Sequence, residues 1–210
     1  MKSYWRVLLL APVLLIGACL AYAALAIKRD STQATATAEI EASLTIQHGA
    51  EVRAAIENFE KNWLSLEAHT NPNIQSEFAT GPYLDYMGNA REGDKIFDQP
   101  SWLITRSAIV TYLRVIEYAP ERFKAVANVE HVTDEITPKG EFIKSLPRIE
   151  FCRLYLFVEA GGTWKVADLF DMTIERDIER DWENELAWEK QFLGQQIIGD
   201  LPQEKCPHMK

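Results

Sequence analysis

Charge is missing from Val7 to Ile27. These 21 residues, VLLLAPVLLIGACLAYAALAI, hold no acid and no base. As a helix rising about 1.5 Å per residue, the run would reach roughly 30 Å, the thickness of a bilayer's hydrocarbon core. A charge at mid-membrane would cost about 2.5–3.5 kcal/mol, and none stands there. The run is also longer than the apolar core of a cleaved secretory signal, about 7–15 residues. The first reading is therefore an uncleaved transmembrane signal-anchor over residues 1–29. Two alternatives stay open. Ile16-Gly17-Ala18-Cys19 resembles a lipobox, which would make Cys19 a lipidated residue, although Gly17 is uncommon there and the apolar run continues to Ile27. The segment could also be a cleaved signal. Lys2 and Arg6 precede the run, while Lys28 and Arg29 follow it with Asp30, Glu39 and Glu41 close behind. That bias predicts the N-terminus in the cytoplasm and the remainder on the extracytoplasmic side, periplasmic or at the cell surface.

Cysteine is scarce. The three, Cys19, Cys152 and Cys206, have neither zinc-ligand nor redox-motif spacing. Cys152 reads as a small buried apolar residue in a strand. In an exported domain it could instead join Cys206. Cys206-Pro207-His208 is too sparse a pattern for a metal, so neither metal nor cofactor is expected. No nucleophile motif, phosphate loop or internal repeat occurs. Basic excess is missing too. Four of the 22 bases fall in residues 1–29, which leaves 18 bases against 31 acids, a net of −13, in residues 30–210. So acidic a surface is poorly suited to nucleic-acid phosphates. Apolar residues make up 47% of the chain, enough for one packed domain after the anchor.

A polar tether, Asp30 to Ala38, opens a linker over 30–44. A helix is predicted from Glu39 to His69, with Val52, Ile56, Phe59, Trp63 and Leu66 spaced 4, 3, 4, 3 along one face. Glu51, Arg53, Glu57, Glu60, Lys61 and Glu67 are assigned to the opposite side. Asn71-Pro72-Asn73 ends it. A second helical segment carries Ile74, Phe78, Tyr83, Leu84 and Met87, interrupted at Gly81-Pro82, and a loop spans Gly88 to Ser101. The pattern then changes to period two. Ile104 to Tyr118 reads as a long strand, and Ala119-Pro120-Glu121 as a turn. In the next strand Phe123, Ala125, Ala127, Val129 and His131 share one face. Ile149 to Glu159 is apolar on both faces, hence central. Ala160-Gly161-Gly162 is a hairpin turn. Thr163 to Thr173 is a fourth strand, with Trp164, Val166, Phe170 and Met172 on one side.

A charged helix over about 174–198 closes the chain. Ile174, Ile178, Trp182, Leu186, Leu193 and Ile197 form a stripe at helical spacing, while Trp188 and Phe192 lie on another side. Apolar surface on two sides of one helix points to two contacts, so Trp182, Trp188 and Phe192 are candidate partner-binding residues. Folding back on the sheet is the alternative use of that surface.

The Val52–Leu66 stripe, Thr80-Gly81-Pro82-Tyr83-Leu84 and the hairpin Gly162-Thr163-Trp164-Lys165-Val166 resemble the nuclear transport factor 2-like (NTF2-like) family, across residues 45–173. The pattern is also similar to cone domains of membrane-tethered scaffolds: the Tim44-like group, the chloroplast-division intermembrane-space domain and VirB8-type secretion components. The resemblance implies an α+β fold. A transmembrane helix would lead into an NTF2-like cone, helices packed on a curved four-stranded antiparallel sheet, and then a C-terminal amphipathic helix and tail over 174–210. Enzymes of this type, polyketide cyclase-like or ketosteroid isomerase-like, hold a carboxylate or imidazole in an apolar pocket. Candidates here are His131, Asp85 and Tyr86, then Tyr112, Tyr155 and Asp171. Asp168 and Asp171 fall on opposite strand faces and cannot pair. With no complete catalytic set, the leading expectation is a membrane-anchored, non-catalytic domain in an envelope complex. Its partners would be the membrane through residues 7–27 and a protein or apolar small ligand. The alternatives are a pocket enzyme or small-molecule binder, and a structural subunit of a large membrane complex.

Overall fold

The computed structural model describes residues 35–81, 83–84, 101–172 and 206. The chain divides into two compact units, Met1–Ser43 and Leu44–Lys210. In the first, the described residues 35–43 are helical.

Helix α1 covers residues 35–62, so helix begins inside the stretch read as a linker. Alanines at 36, 38 and 42 explain this, because alanine costs least in a helix. Val52, Ile56 and Phe59 are fully buried as their spacing predicts. The rest of the stripe departs from it. The helix stops at 62, and Ser65 caps a new one, α2 (Leu66–Thr70), its Oγ accepting from the Ala68 N–H at 3.1 Å. Leu66 is left exposed. Asn71 then caps a 3-10 turn, Pro72–Ile74, which leads into α3 (Gln75–Phe78). Ala79 leaves helical geometry to form a parallel bridge with Val166, and the Thr80 N–H donates to the Val166 carbonyl at 2.9 Å.

Five antiparallel strands follow: β1 (Trp102–Ala119), β2 (Arg122–Ile136), β3 (Phe142–Ser145), β4 (Ile149–Ala160) and β5 (Thr163–Asp171). They run in the order β1-β2-β4-β5, with β3 pairing the end of β2 beyond β4. Gly161 and Gly162 turn the β4–β5 hairpin with φ of +68° and +84°, a region glycine enters without strain. Phe123, Ala125, Ala127 and Val129 of β2 pack inward with Tyr155, Phe157 and Val166 against Val52, Ile56 and Phe59 of α1. Phe59 meets Phe157 edge to face at 6.2 Å, and Phe123 stacks on Phe157 at 4.7 Å.

Strand β1 is an edge strand with three bulges, after Thr105, Val110 and Val115. A bulge bends its strand and re-aims the backbone. The amide N–H of the residue before each bulge is taken up from the α1 side. Thr105 donates to the Leu64 carbonyl at 3.0 Å, Val110 to Glu57 Oε1 at 2.9 Å, and Val115 to Thr45 Oγ1 at 2.9 Å. Arg53 donates to the Val110 carbonyl. The helix thus satisfies part of the edge that a neighbouring strand would otherwise cover.

The expected architecture is corrected. The described chain is mostly antiparallel sheet of five strands, not four, with one long helix at 35–62. No helix among the described residues is long and apolar enough to cross a membrane. Helix α1 carries Glu39, Glu41, Glu51, Arg53, Glu57, Glu60 and Lys61, too many charges for hydrocarbon. Strand β3 escaped the sequence pattern because it is four residues long and exposed throughout. Trp164 and Val166 do not share a side with Phe170 and Met172. A register shift opposite Leu156 and Phe157 puts one extra residue, Ala167, into β5 and turns its second half over. The segments expected at 7–27 and 174–198 lie outside the described residues, as does Cys19.

Candidate functional site

Glu60 is the least expected residue of the interior. It stands four residues after Ile56 and three before Trp63, so the helical repeat turns it inward with them. It is fully buried. Strand alternation brings His131 of β2, Phe151, Arg153 and Tyr155 of β4 and Asp171 of β5 to the same side of the sheet. Arg153 pairs with Ala127 and Asp171, and Tyr155 with Ala125 and Leu169. Two alanines on the neighbouring strand leave room for the large β4 side chains and for the carboxylate that reaches them.

Arg153 Nη1 donates to both Glu60 oxygens, at 2.8 and 2.7 Å, and the Tyr155 hydroxyl donates to Glu60 Oε1. His131 Nε2 lies 3.1 Å from Glu60 Oε2, close enough for ionic attraction but not aligned as a hydrogen bond. Arg153 also reaches Asp171 Oδ2 at 3.4 Å, and its guanidinium sits 4.2 Å over the Phe151 ring. The ring edge of His131 meets the same phenylalanine at 5.1 Å. Burial alone would raise the Glu60 pKa, yet the Arg153 charge, with His131 and the Tyr155 O–H, holds it below the ordinary carboxylate range. Burial works against the Arg153 cation, and the Glu60 carboxylate outweighs it and keeps the guanidinium firmly protonated. Burial, then the Glu60 charge, pushes the Tyr155 hydroxyl well above a free tyrosine. Glu60, Arg153 and Tyr155 answer one another, while His131 Nε2 has the ionic contact and no hydrogen bond. A general acid or base must instead reach a substrate proton. The arrangement serves to lock α1 to the sheet.

Two of the hollows among the described residues lie elsewhere. The larger, about 920 Å³, runs between Ala54, Asn58 and Asn62 of α1, the α2–α3 segment at Glu67 and Glu77, and the β4–β5 hairpin at Ala160–Lys165. Glu51 stands at its end, accepting from Tyr118 Oη at 2.7 Å and Trp164 Nε1 at 2.8 Å, bonds that lower its pKa and raise that of Tyr118. His48 stacks on Tyr118, ring centroids 3.6 Å apart. Lys165 Nζ donates to the Ser76 carbonyl at 2.6 Å and ties the hairpin to α3. The smaller hollow, about 460 Å³, is lined by Thr45, Gly49, Arg53, Glu57 and Leu113.

Of the candidates named from sequence, His131, Tyr155 and Asp171 come together around Glu60 and Arg153, which are not among those candidates. Tyr112 lies on the outer face of the sheet, packed against a second cluster of Val126, Leu154, Phe170 and Met172. Asp168 and Asp171 are on opposite faces, facing Leu156 and Arg153. Asp85, Tyr86, Trp182, Trp188 and Phe192 lie outside the described residues. Among those described, no group of three metal-ligating side chains occurs. Cys152 and Cys206 form a disulfide, with Cα atoms 5.8 Å apart.

No family model matches the chain, and no curated protein matches it. Among solved structures, the intermembrane space region of the chloroplast protein ARC6 is similar at 10% identity and a TM-score of 0.39, over 60% of this chain and 94% of that one. A likeness of that strength assigns neither fold nor function.

Proposed function

We propose that this domain docks another protein in an envelope complex, on the extracytoplasmic side of a membrane that the uncharged segment 7–27 engages, and that it does so without turning over a substrate. The observation that carries the proposal is the state of Glu60. The fully buried Glu60 carboxylate has its oxygens engaged by Arg153 and Tyr155, with His131 Nε2 3.1 Å away, and Phe123 and Tyr155 fill one packed core with Trp63 against it. A pocket enzyme of the cyclase or isomerase type would want that space open. The Cys152–Cys206 disulfide supports placement outside the reducing cytoplasm. Kinship with the NTF2-like group enters as part of the same proposal, supported by α1 packing on the inward face of a bulged antiparallel sheet.

The groove between α1 and the β4–β5 hairpin is the proposed seat of the partner. Glu51, Glu67 and Glu77 line the groove against the single base Lys165, so a segment carrying positive charge fits it. A photoreactive side chain at Asn58, Glu77 or Thr163 in intact membranes tests this. All three positions should attach the same protein. Attachment to lipid alone, or to a background indistinguishable from a position at Ile109, would refute docking in the groove.

A further inference from the structure

The outer face of the sheet is buried, although the described helices all pack on the inner one. Val126, Leu154, Phe170 and Met172 are between 0 and 7% exposed. Lys124, Asn128 and Asp168 on the same face are buried as well. Charged and polar side chains do not leave water for an uncovered sheet face. Among the described residues, the one member of this cluster distant in sequence from every strand is Cys206, Met172 following directly on β5.

We propose that the outer face is the seat of this chain's own residues 173–205, and that the Cys152–Cys206 disulfide holds them there. Both ends of that segment are fixed at one place. Met172 donates its N–H to the Cys152 carbonyl at 2.7 Å, and Cys206 is bonded to the Cys152 sulfur. The 33 intervening residues leave from and return to the same point on β4. The four strands from β5 to β1 span about 14 Å at roughly 4.8 Å per strand. Half the segment covers about 24 Å even at a helical rise of about 1.5 Å per residue, enough to cross the face and come back. Its apolar residues Ile174, Ile178, Trp182, Leu186, Leu193 and Ile197 recur at helical spacing, the pattern an apolar seat requires. This inference is independent of the docking proposal, since it concerns the opposite face of the sheet and needs no partner.

The test uses the purified full chain, prepared as a mixture of light and heavy isotopic forms, with p-benzoylphenylalanine in place of Tyr112 at the rim of the outer cluster. Irradiation should join position 112 to peptides within 173–205 of the same chain, and the yield should fall at least threefold in the Cys206→Ser variant. A variant labelled at Ile116 repeats the measurement if the first fails to fold. Products of mixed isotope would assign the face to a second copy, and products with residues 85–100 would assign it to another segment. Either result, or quenching by solvent alone, would overturn the proposal. An unchanged yield in Cys206→Ser would overturn the holding role of the disulfide.

Discussion

Glu60→Gln keeps the side chain's volume and removes its charge. Arg153, 7% exposed, would keep an amide oxygen as acceptor but only the more distant Asp171, at 3.4 Å, as a countercharge, beside the face of Phe151. Removing one member of a buried ion pair costs about 3–5 kcal/mol, because the remaining charge stays desolvated. A domain's whole stability is about 5–15 kcal/mol. With a urea slope of about 2 kcal/mol per molar, the unfolding midpoint should fall by about 1.5–2.5 M. Arg153→Met should cost a similar amount by stranding the carboxylate. The double variant should cost less than the two single ones added together, since neither charge is then left alone. Tyr155→Phe removes one hydrogen bond to a charge and should cost about 1.5–3 kcal/mol. Urea unfolding followed by circular dichroism measures all four. A loss below about 1 kcal/mol for Glu60→Gln would refute the account of the cluster as the fastening between α1 and the sheet.

The same cluster sets a pH window. Glu60 titrates below an ordinary carboxylate, so its stabilisation is complete above about pH 4.3 and lost as pH falls through the lowered value, where the unfolded chain binds more protons. Tyr155 titrates above an ordinary tyrosine, so its contribution holds below about pH 10 and fades as pH climbs through the raised value. Acid and alkaline unfolding curves should therefore flatten in Glu60→Gln and in Tyr155→Phe respectively, and parallel curves would count against both assignments. Reducing the disulfide, which closes a loop with a separation of 54, should cost about 4 kcal/mol on the loop-entropy relation, read as a drop in thermal midpoint under reductant. Glu57→Ala frees the Val110 N–H and should cost about 1–2 kcal/mol, with faster hydrogen exchange at that amide.

The long strands were legible because period-two alternation survives in them, and four of the five were located within a few residues. What broke the pattern was bulging. Ala167 inverts the second half of β5, and a repeat of two cannot show where an extra residue falls. β3 carries no inward side to alternate with. Glu60 and Arg153 were passed over for a different reason. Charge marks the wet side only on average, and residue type places Glu60 on the wet side of α1 where its position places it inside. The step of four from Ile56 was the available signal. His131 was found by alternation alone, and what it meets was hidden because its neighbour comes from a helix about 70 residues away. The disulfide stayed open in the sequence because two cysteines 54 apart imply no geometry until strand and tail are placed.

Strand β1 is 18 residues long and ends the sheet, the kind of border along which β proteins polymerise. Its amides at 110 and 115 are occupied by side chains of α1 and that at 105 by the Leu64 carbonyl just past the helix, so the chain acts as its own chaperone along that border. Damage to α1 would then show itself less as simple unfolding than as fibrillar material, growing chain upon chain.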